Sequence, residues 1–225
     1  MLLVRHCDHG QVHGTEQRQV MSRVGATTRV GAAGVVIACV AMLGLAAPAA
    51  AACGGVKVAE PKKNVSRGPA PLAIGDSSML FALPELAKRG FKANARGCRM
   101  MPEGIEVIKK ANKRGPLPRL IVIALGADGT ISMGQIRDVL KIIGRKTKLG
   151  LVVPLETGGQ TGHDAEVVRD AAQKFDKRIR LLDWPNYSDG HPAWFQPDGL
   201  HLTFLGAERF ARLCAKALKN LPPPK

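Results

Sequence analysis

Residues 121–126 read IVIALG and residues 149–155 read LGLVVPL, two continuous apolar runs in a chain of mixed polarity. A strand with one wet face alternates apolar and polar residues, whereas a strand covered on both faces does not. Both runs therefore predict strands of a parallel sheet held between layers of helix. Working outward, strands are predicted over 72–75, 92–96, 120–126, 149–155 and 179–184. The stretches between them carry amphipathic helical spacing over 79–88, 102–113, 132–143, 165–175 and 205–218. Pro102 opens one of these helices and Gly90 closes another, the usual asymmetry of helix ends. Strand followed by helix, about five times over, predicts an α/β fold: a three-layer α/β/α sandwich with a parallel sheet of about five strands. In such sheets, sites form beyond the carboxyl ends of the strands, so the loops there are where chemistry is sought.

The whole chain has 225 residues, 45% hydrophobic and 23% charged, which excludes disorder as a description of all of it and suits one folded domain. It carries no heptad run, no sustained repeat and no multi-pass membrane pattern. Lys and Arg number 33 against 18 Asp and Glu, a formal charge of +15. Such a balance suits an anionic partner, whether nucleic acid, membrane surface or cell-wall polymer, and equally describes a solvated basic surface. No nucleic-acid recognition module accompanies the charge, so no nucleic-acid partner is expected.

The amino terminus reads as an address. Residues 31–52, GAAGVVIACVAMLGLAAPAAAA, are uncharged, follow Arg23 and Arg29, and close on small residues. Basic region, apolar region and Ala-x-Ala site, in that order, predict a secretory signal peptide starting at Met21, with an exported, secreted or cell-envelope protein as the product. Residues 1–20 then read as an over-extended start, 21–52 as signal peptide or membrane anchor, 53–70 as a linker, and 71–225 as the folded domain. Retention of 31–52 as an anchor and lipidation of Cys53 are the rival readings. Cys7, His9 and His13 match no strong zinc pattern, and neither a metal nor any other cofactor is expected. An oxidising compartment permits a disulfide among Cys53, Cys98 and Cys214, with the pairing left open.

Four stretches carry candidate chemistry. In PLAIGDSSML (71–80), Ser77 follows a strand and begins a helix, which puts a hydroxyl beside helix-start N–H groups able to stabilise a reacting oxyanion. The plainer role for Asp76 or Ser77 is an N-cap, and Ser78 suits capping better than Ser77. In QPDGLHLTFLGAERFA, Asp198 and His201 stand three apart before the last helix, so the carboxylate can orient an imidazole that takes a serine proton. Past the second and third of the predicted strands stand Gly97 in ARGCR and Gly126, Asp128 and Gly129 in LGADGT, as oxyanion-side loops or simple turns. Finally, LLDWPNYSDGHPAWFQPDG concentrates Trp184, Tyr187 and Trp194 in one loop, to stack on a sugar, wall an acyl pocket, or pack the loop. Arg96 and Arg99, beside this site, are candidates to attract an anionic polymer.

With these blocks in order, the chain resembles the SGNH (GDSL-type) hydrolase superfamily, whose sheet is flavodoxin-like. More narrowly, it resembles the extracytoplasmic SGNH domains linked to peptidoglycan or polysaccharide O-acyltransferases, over residues 71–218. The resemblance implies Ser77 as nucleophile, His201 as base and Asp198 as its orienting acid, with Ser77, Gly97 and the 126–129 block around the oxyanion. DW before the last loop and HLT, which begins at the histidine, match the acyltransferase-linked subgroup. One position departs from the pattern: the third block ordinarily supplies an asparagine amide, and here Asp128 stands there. An ionised carboxylate donates no hydrogen bond and repels a developing oxyanion. The implied activity is a serine esterase or O-acyltransferase on small acyl, chiefly acetyl, esters of carbohydrate. Its partners would be acylated carbohydrate or cell-wall glycan and a separate membrane acyl-donor protein, and the chain is expected to be a monomer. The competing class is a non-catalytic envelope protein that holds a glycan or another anionic polymer.

Overall fold

A computed structural model describes residues 53–63, 68–156, 162–219 and 221. The readings of residues 1–52, including the export segment and Cys7, His9 and His13, lie outside the described residues. The strands are β1 (Lys57–Ala59), β2 (Leu72–Gly75), β3 (Lys92–Ala95), β4 (Leu120–Ala124), β5 (Lys148–Val152) and β6 (Ile179–Leu182), in the sheet order β1-β3-β2-β4-β5-β6. All neighbours are parallel except β1, which runs antiparallel to β3. That edge strand corrects the sequence reading, which assigned residues 53–70 wholly to a linker and counted about five strands. Three residues without an apolar pattern give no strand signal of their own; pairing with β3 makes them one.

The helices are α1 (Leu83–Lys88), α2 (Met101–Arg114), α3 (Met133–Ile143), α4 (His163–Lys174), α5 (Trp184–Ser188) and α6 (Phe204–Lys219), with 3-10 turns at Ser77–Ala82 and Pro192–Trp194. Ser132 caps α3 through a reciprocal pair: its hydroxyl accepts the Gln135 N–H, and the Gln135 side chain accepts the Ser132 N–H. The helix predicted over 79–88 is divided, a 3-10 turn beginning at Ser77 and α1 following it. α5 and the second 3-10 turn lie inside the stretch read as a loop.

The apolar runs deal their side chains to opposite faces with period two. Leu120, Val122 and Ala124 of β4 join Leu86, Phe91, Phe210 and Cys214 in one core, under α1 and α6. Ile121, Ile123 and Leu125 join Ile108, Ile136, Val139 and Val168 in the other, under α2, α3 and α4. Each large aliphatic side chain so covered contributes about 1.5–3 kcal/mol relative to exposure, so the uninterrupted hydrophobicity of IVIALG is a direct consequence of helices on both faces.

Register places the site. Gly75, the last residue of β2, lies level with Ala95 of β3 and Ala124 of β4. The three loops that leave these strands therefore start at one height. The strand order also reverses around β2, which makes this edge the switch point where open parallel sheets bind ligands.

Candidate active site

The nucleophile turn is set by glycine and aspartate. A side chain at Gly75 would put its Cβ 2.5 Å from the Met79 Cβ, and Met79 is fully buried, so only glycine lets the turn fold back on β2. Asp76, 1% exposed, is the cap. Its Oδ1 accepts the Ser78 N–H at 3.0 Å and the Ser78 hydroxyl at 2.6 Å. Its Oδ2 accepts the Ala127 N–H at 3.2 Å. The cap is thus Asp76 and not Ser78, which serves as a donor to it. By reaching Ala127, Asp76 also joins the nucleophile turn to the loop after β4. Burial pushes the Asp76 carboxyl above the usual carboxylate range, the hydrogen bonds from Ser78 and Ala127 pull it back, and the charge of Asp128 adds to the rise.

Ser77, relieved of capping, meets the last motif. His201 Nε2 lies 3.0 Å from Ser77 Oγ, and His201 Nδ1 lies 2.7 Å from Asp198 Oδ2. The carboxylate selects the tautomer with a proton on Nδ1, leaving Nε2 to accept from the serine hydroxyl. Asp198 Oδ1 takes the backbone N–H groups of Leu200 and His201, each at 2.9 Å. The Leu200 N–H, then the His201 ring and backbone N–H, lower its pKa to about 2. Gly199, at φ +70°, makes the turn that brings ring and backbone to one carboxylate.

The loop before this turn holds it in place. Gln196 N–H donates to His201 O at 2.7 Å, Thr203 N–H to Trp194 O at 2.9 Å, and Thr203 Oγ1 to Ala193 O at 2.8 Å. Gly206 lets α6 sit directly on the Trp194 carbonyl, since a Cβ there would come within 1.9 Å of the oxygen. Trp184 and Trp194 are buried, their rings stacked 5.9 Å apart, and Phe210 meets Trp184 edge to face at 5.3 Å. Tyr187 is half-buried beside them, with the Lys216 ammonium 4.5 Å from its ring centroid. Trp184 also walls a cavity of about 20 Å³ behind Asp76 and Ser78, room for about one water. The two tryptophans therefore present no face to a sugar ring and enclose no acyl pocket; they brace the His201 turn.

The two arginines are likewise occupied. Arg96 is held by both Glu103 oxygens, at 2.6 and 2.7 Å. Arg99 is 2% exposed, and its guanidinium donates to Gly75 O at 3.0 Å, Asn94 O at 2.8 Å and Asn94 Oδ1 at 2.7 Å. Burial lowers its pKa, and the Arg96 charge adds to the effect. Arg99 thus supports the carbonyl at the end of β2 from within the fold and offers nothing to a polymer outside it.

The loops with Gly97 and Gly126–Gly129, read from sequence as the oxyanion side, leave β3 and β4 level with the serine turn. Gly126 has φ +122°, a conformation that favours glycine. Cys98 is bonded to Cys53, which settles the pairing left open by sequence and leaves no Cys53 thiol for a lipid. Cys214 is buried and free, its thiol pushed up to about 12 by burial. The disulfide lays the Cys53 carbonyl against Gly97, where any Cβ would come within 2.4 Å of it. Asp128 is half-buried, and its Oδ2 is buried without a hydrogen-bond partner among the described residues.

Sequence reading missed Asp76 as the joint between loops, and it missed Phe81 and Phe204. Phe81 stands four residues after Ser77 and Phe204 three after His201, and their rings meet edge to face at 5.8 Å. Their position one turn past each motif, in a chain with only nine aromatic residues, was the signal available.

A three-layer α/β/α sandwich with a serine, a histidine and an aspartate in hydrogen-bonded series beyond its strand ends agrees with the arrangement that the sequence resemblance to the SGNH hydrolases implies. No family model matches the chain. It is 26% identical over 167 residues to the O-acetyltransferase OatA of Staphylococcus aureus (strain NCTC 8325), over 73% of this chain and 27% of that protein. It thus spans about a quarter of the length of that curated relative. Among solved structures, it superposes on the C-terminal catalytic domain of Streptococcus pneumoniae peptidoglycan O-acetyltransferase A with a TM-score of 0.58 and 23% identity, covering 73% of this chain and 96% of that domain. A lipolytic G-D-S-L family protein of Veillonella parvula superposes with a TM-score of 0.51 and 12% identity, over 67% of this chain and 98% of that one. Its fold is therefore that of the G-D-S-L hydrolases it superposes on.

Proposed function

We propose that the protein is an extracytoplasmic serine esterase or O-acyltransferase that acts on small acyl esters, acetyl foremost, of carbohydrate such as cell-wall glycan. The observation that carries this reading is the series Asp198 Oδ2–His201–Ser77 Oγ, with separations of 2.7 and 3.0 Å. Ser77 Oγ attacks the ester carbonyl carbon while its proton passes to His201 Nε2. Collapse of the tetrahedral intermediate breaks the bond to the alcohol oxygen, which leaves with that proton. Water, or a sugar hydroxyl, then gives its proton to Nε2 and attacks the seryl ester, returning Ser77. Asp198, ionised throughout, holds the ring and offsets the imidazolium charge. Similarity to the peptidoglycan O-acetyltransferases supports the envelope setting and the choice of acetyl. A membrane acyl-donor protein as partner and the alternative of release into the medium rest on the export reading.

The test is Ser77-dependent chemistry on the full chain: sulfonylation by methanesulfonyl fluoride and turnover of an acetyl ester. Ser77→Ala is expected to remove labelling and to cut turnover to background. A folded wild-type protein that neither labels nor turns over would sink the proposal.

A second reading, a glycan-binding protein that keeps the fold without the chemistry, draws on the unpartnered Asp128 Oδ2. At an oxyanion-donor position a carboxylate would oppose the charge that forms, and loss of one such donor costs about 10²–10³ in rate. That penalty slows a hydrolase without abolishing it, and the assembled Ser–His–Asp series favours the enzyme.

A further inference from the structure

The Ser77–His201 contact is one rung of a longer seam. The same two segments touch again one turn further on, where Phe81 and Phe204 meet edge to face, centroids 5.8 Å apart and planes at 69°. Both rings are open to solvent: Phe204 is 83% exposed and Phe81 45%, and Leu205 beside them is 44% exposed. Other rings of this chain behave differently. Phe91 and Phe210 are buried, and α6 already covers its core face with Phe210, Leu213 and Cys214. The Phe81–Phe204 pair is therefore surplus to the fold's packing.

Exposure alone is ordinary for a single apolar residue, so the placement carries the argument. His201 Nε2 hands a proton to the departing alcohol and takes one from the incoming hydroxyl. The alcohol half of the ester accordingly lies on the His201 side of Ser77, while the carbonyl oxygen turns toward the loops after β3 and β4. The segment that runs from His201 into α6 carries Phe204. One helical turn beyond it, Glu208 accepts from Arg212 at 2.7 Å and from Arg89 at 3.3 Å, a charged rim beside the apolar rings. A flat ring face bordered by strong donors and acceptors matches a pyranose, whose C–H face covers the ring while its hydroxyls reach the rim. A long acyl chain or a lipid surface would bury that rim without replacing its hydrogen bonds with water.

We propose that Phe81 and Phe204 form the alcohol-side subsite, holding the pyranose ring whose hydroxyl carries or receives the acyl group. The proposal rests on the esterase or acyltransferase reading of the same site and names the part of the substrate that these two residues recognise.

The experiment uses the full chain with two probes, and long-chain acyl esters of glycerol as the lipid control. An O-acetylated chitotetraose reports the subsite through KM and kcat. Methanesulfonyl fluoride, too small to reach the rings, reports the reactivity of Ser77 alone; p-nitrophenyl esters are avoided because their leaving group would itself stack. Phe204→Ala is expected to raise KM for the oligosaccharide about tenfold, the size of one aromatic contact, with the rate of Ser77 sulfonylation unchanged. Phe204→Trp is expected to keep the wild-type KM, and Phe81→Ala to follow Phe204→Ala in direction. An unchanged KM in Phe204→Ala, with Ser77 still labelled, would overturn the subsite and leave the enzyme reading standing. A rise in KM confined to long-chain acyl esters of glycerol would overturn it in favour of a lipid. Wild-type protein that does not label at Ser77 would overturn the enzyme reading beneath it, and the subsite with it.

Discussion

On one side of Ser77 the Asp198–His201 series is closed at every joint, whereas the loop after β4, joined to the serine turn through Asp76, carries a carboxylate oxygen without a partner among the described residues. His201 has a partner on each ring nitrogen, and Asp198 is satisfied by the ring and two backbone N–H groups. In the loop after β4, Asp128 stands at the position the sequence resemblance gives to an oxyanion donor, and its Oδ2 is buried without a partner among the described residues. The loop before it is anchored to Asp76, and Gly97 is pressed against Cys53. The difference teaches where such a site is robust. The proton path depends on two short local motifs joined by one contact, while the oxyanion side depends on three loops whose position is set by distant residues. A change at one loop residue can alter the second without disturbing the first.

The largest test of this contrast is Asp198→Asn. It keeps the shape of the turn but favours the wrong imidazole tautomer, and turnover should fall by about 10⁴. Because Asp198 is held at about 2, it remains ionised when an ordinary aspartate, at about 3.9, takes up a proton. Its depressed pKa means that its orienting charge is present above that value and lost only as pH falls through about 2. The wild-type rate profile should then show no step centred near pH 4. A step there would show that the carboxylate is not held as described.

Next in size is Asp128→Asn, which restores an amide to the oxyanion side. The expected result is a gain in kcat on an acetyl ester, up to about 10²–10³, with Ser77 still required. An unchanged or lower kcat would place Asp128 away from the charge that develops and remove the contrast drawn above.

The smallest effect concerns the disulfide. Cys53 and Cys98 are 45 residues apart in sequence, and replacing both by serine should cost roughly 2–4 kcal/mol in urea unfolding. Since the Cys53 carbonyl lies on Gly97, kcat should fall with little change in KM. Unfolding stability lost with kcat intact would mean that the disulfide serves the fold and not the oxyanion loop.

Much of this was legible residue by residue. IVIALG announced a strand covered on both faces, because a half-wet strand could not carry five apolar residues in sequence without exposing some. Gly75, Asp76 and Ser77, and then Asp198 and His201, announced themselves because each motif is short and the chemistry needs those residue types at those spacings. The aromatic loop left three readings open, because composition does not say which way a ring faces, and for the two tryptophans the structure takes the packing one. Trp184 and Trp194 turn inward and brace the His201 turn, while Phe204, one residue before the helix predicted over 205–218, turns outward. Arg96 and Arg99 misled for the same reason: their charges are taken up by Glu103, Asn94 and the Gly75 carbonyl. β1 was hidden because a three-residue edge strand draws its stability from its neighbour and leaves no period in its own sequence.

The amino-acid sequence carried the layering of the fold and the short motifs that hold Ser77, Asp198 and His201. Both follow from local rules: hydrophobic period sets which faces are covered, and a nucleophile, a base and a carboxylate must be present as such. Only the tertiary structure decided that Ser77 and His201, 124 residues apart, meet at 3.0 Å. It also decided which thiols pair, which rings face solvent and which charges remain free. These are matters of distance and direction between segments, set by register at the ends of β2, β3 and β4 and by close packing across the sheet, and no local pattern encodes them.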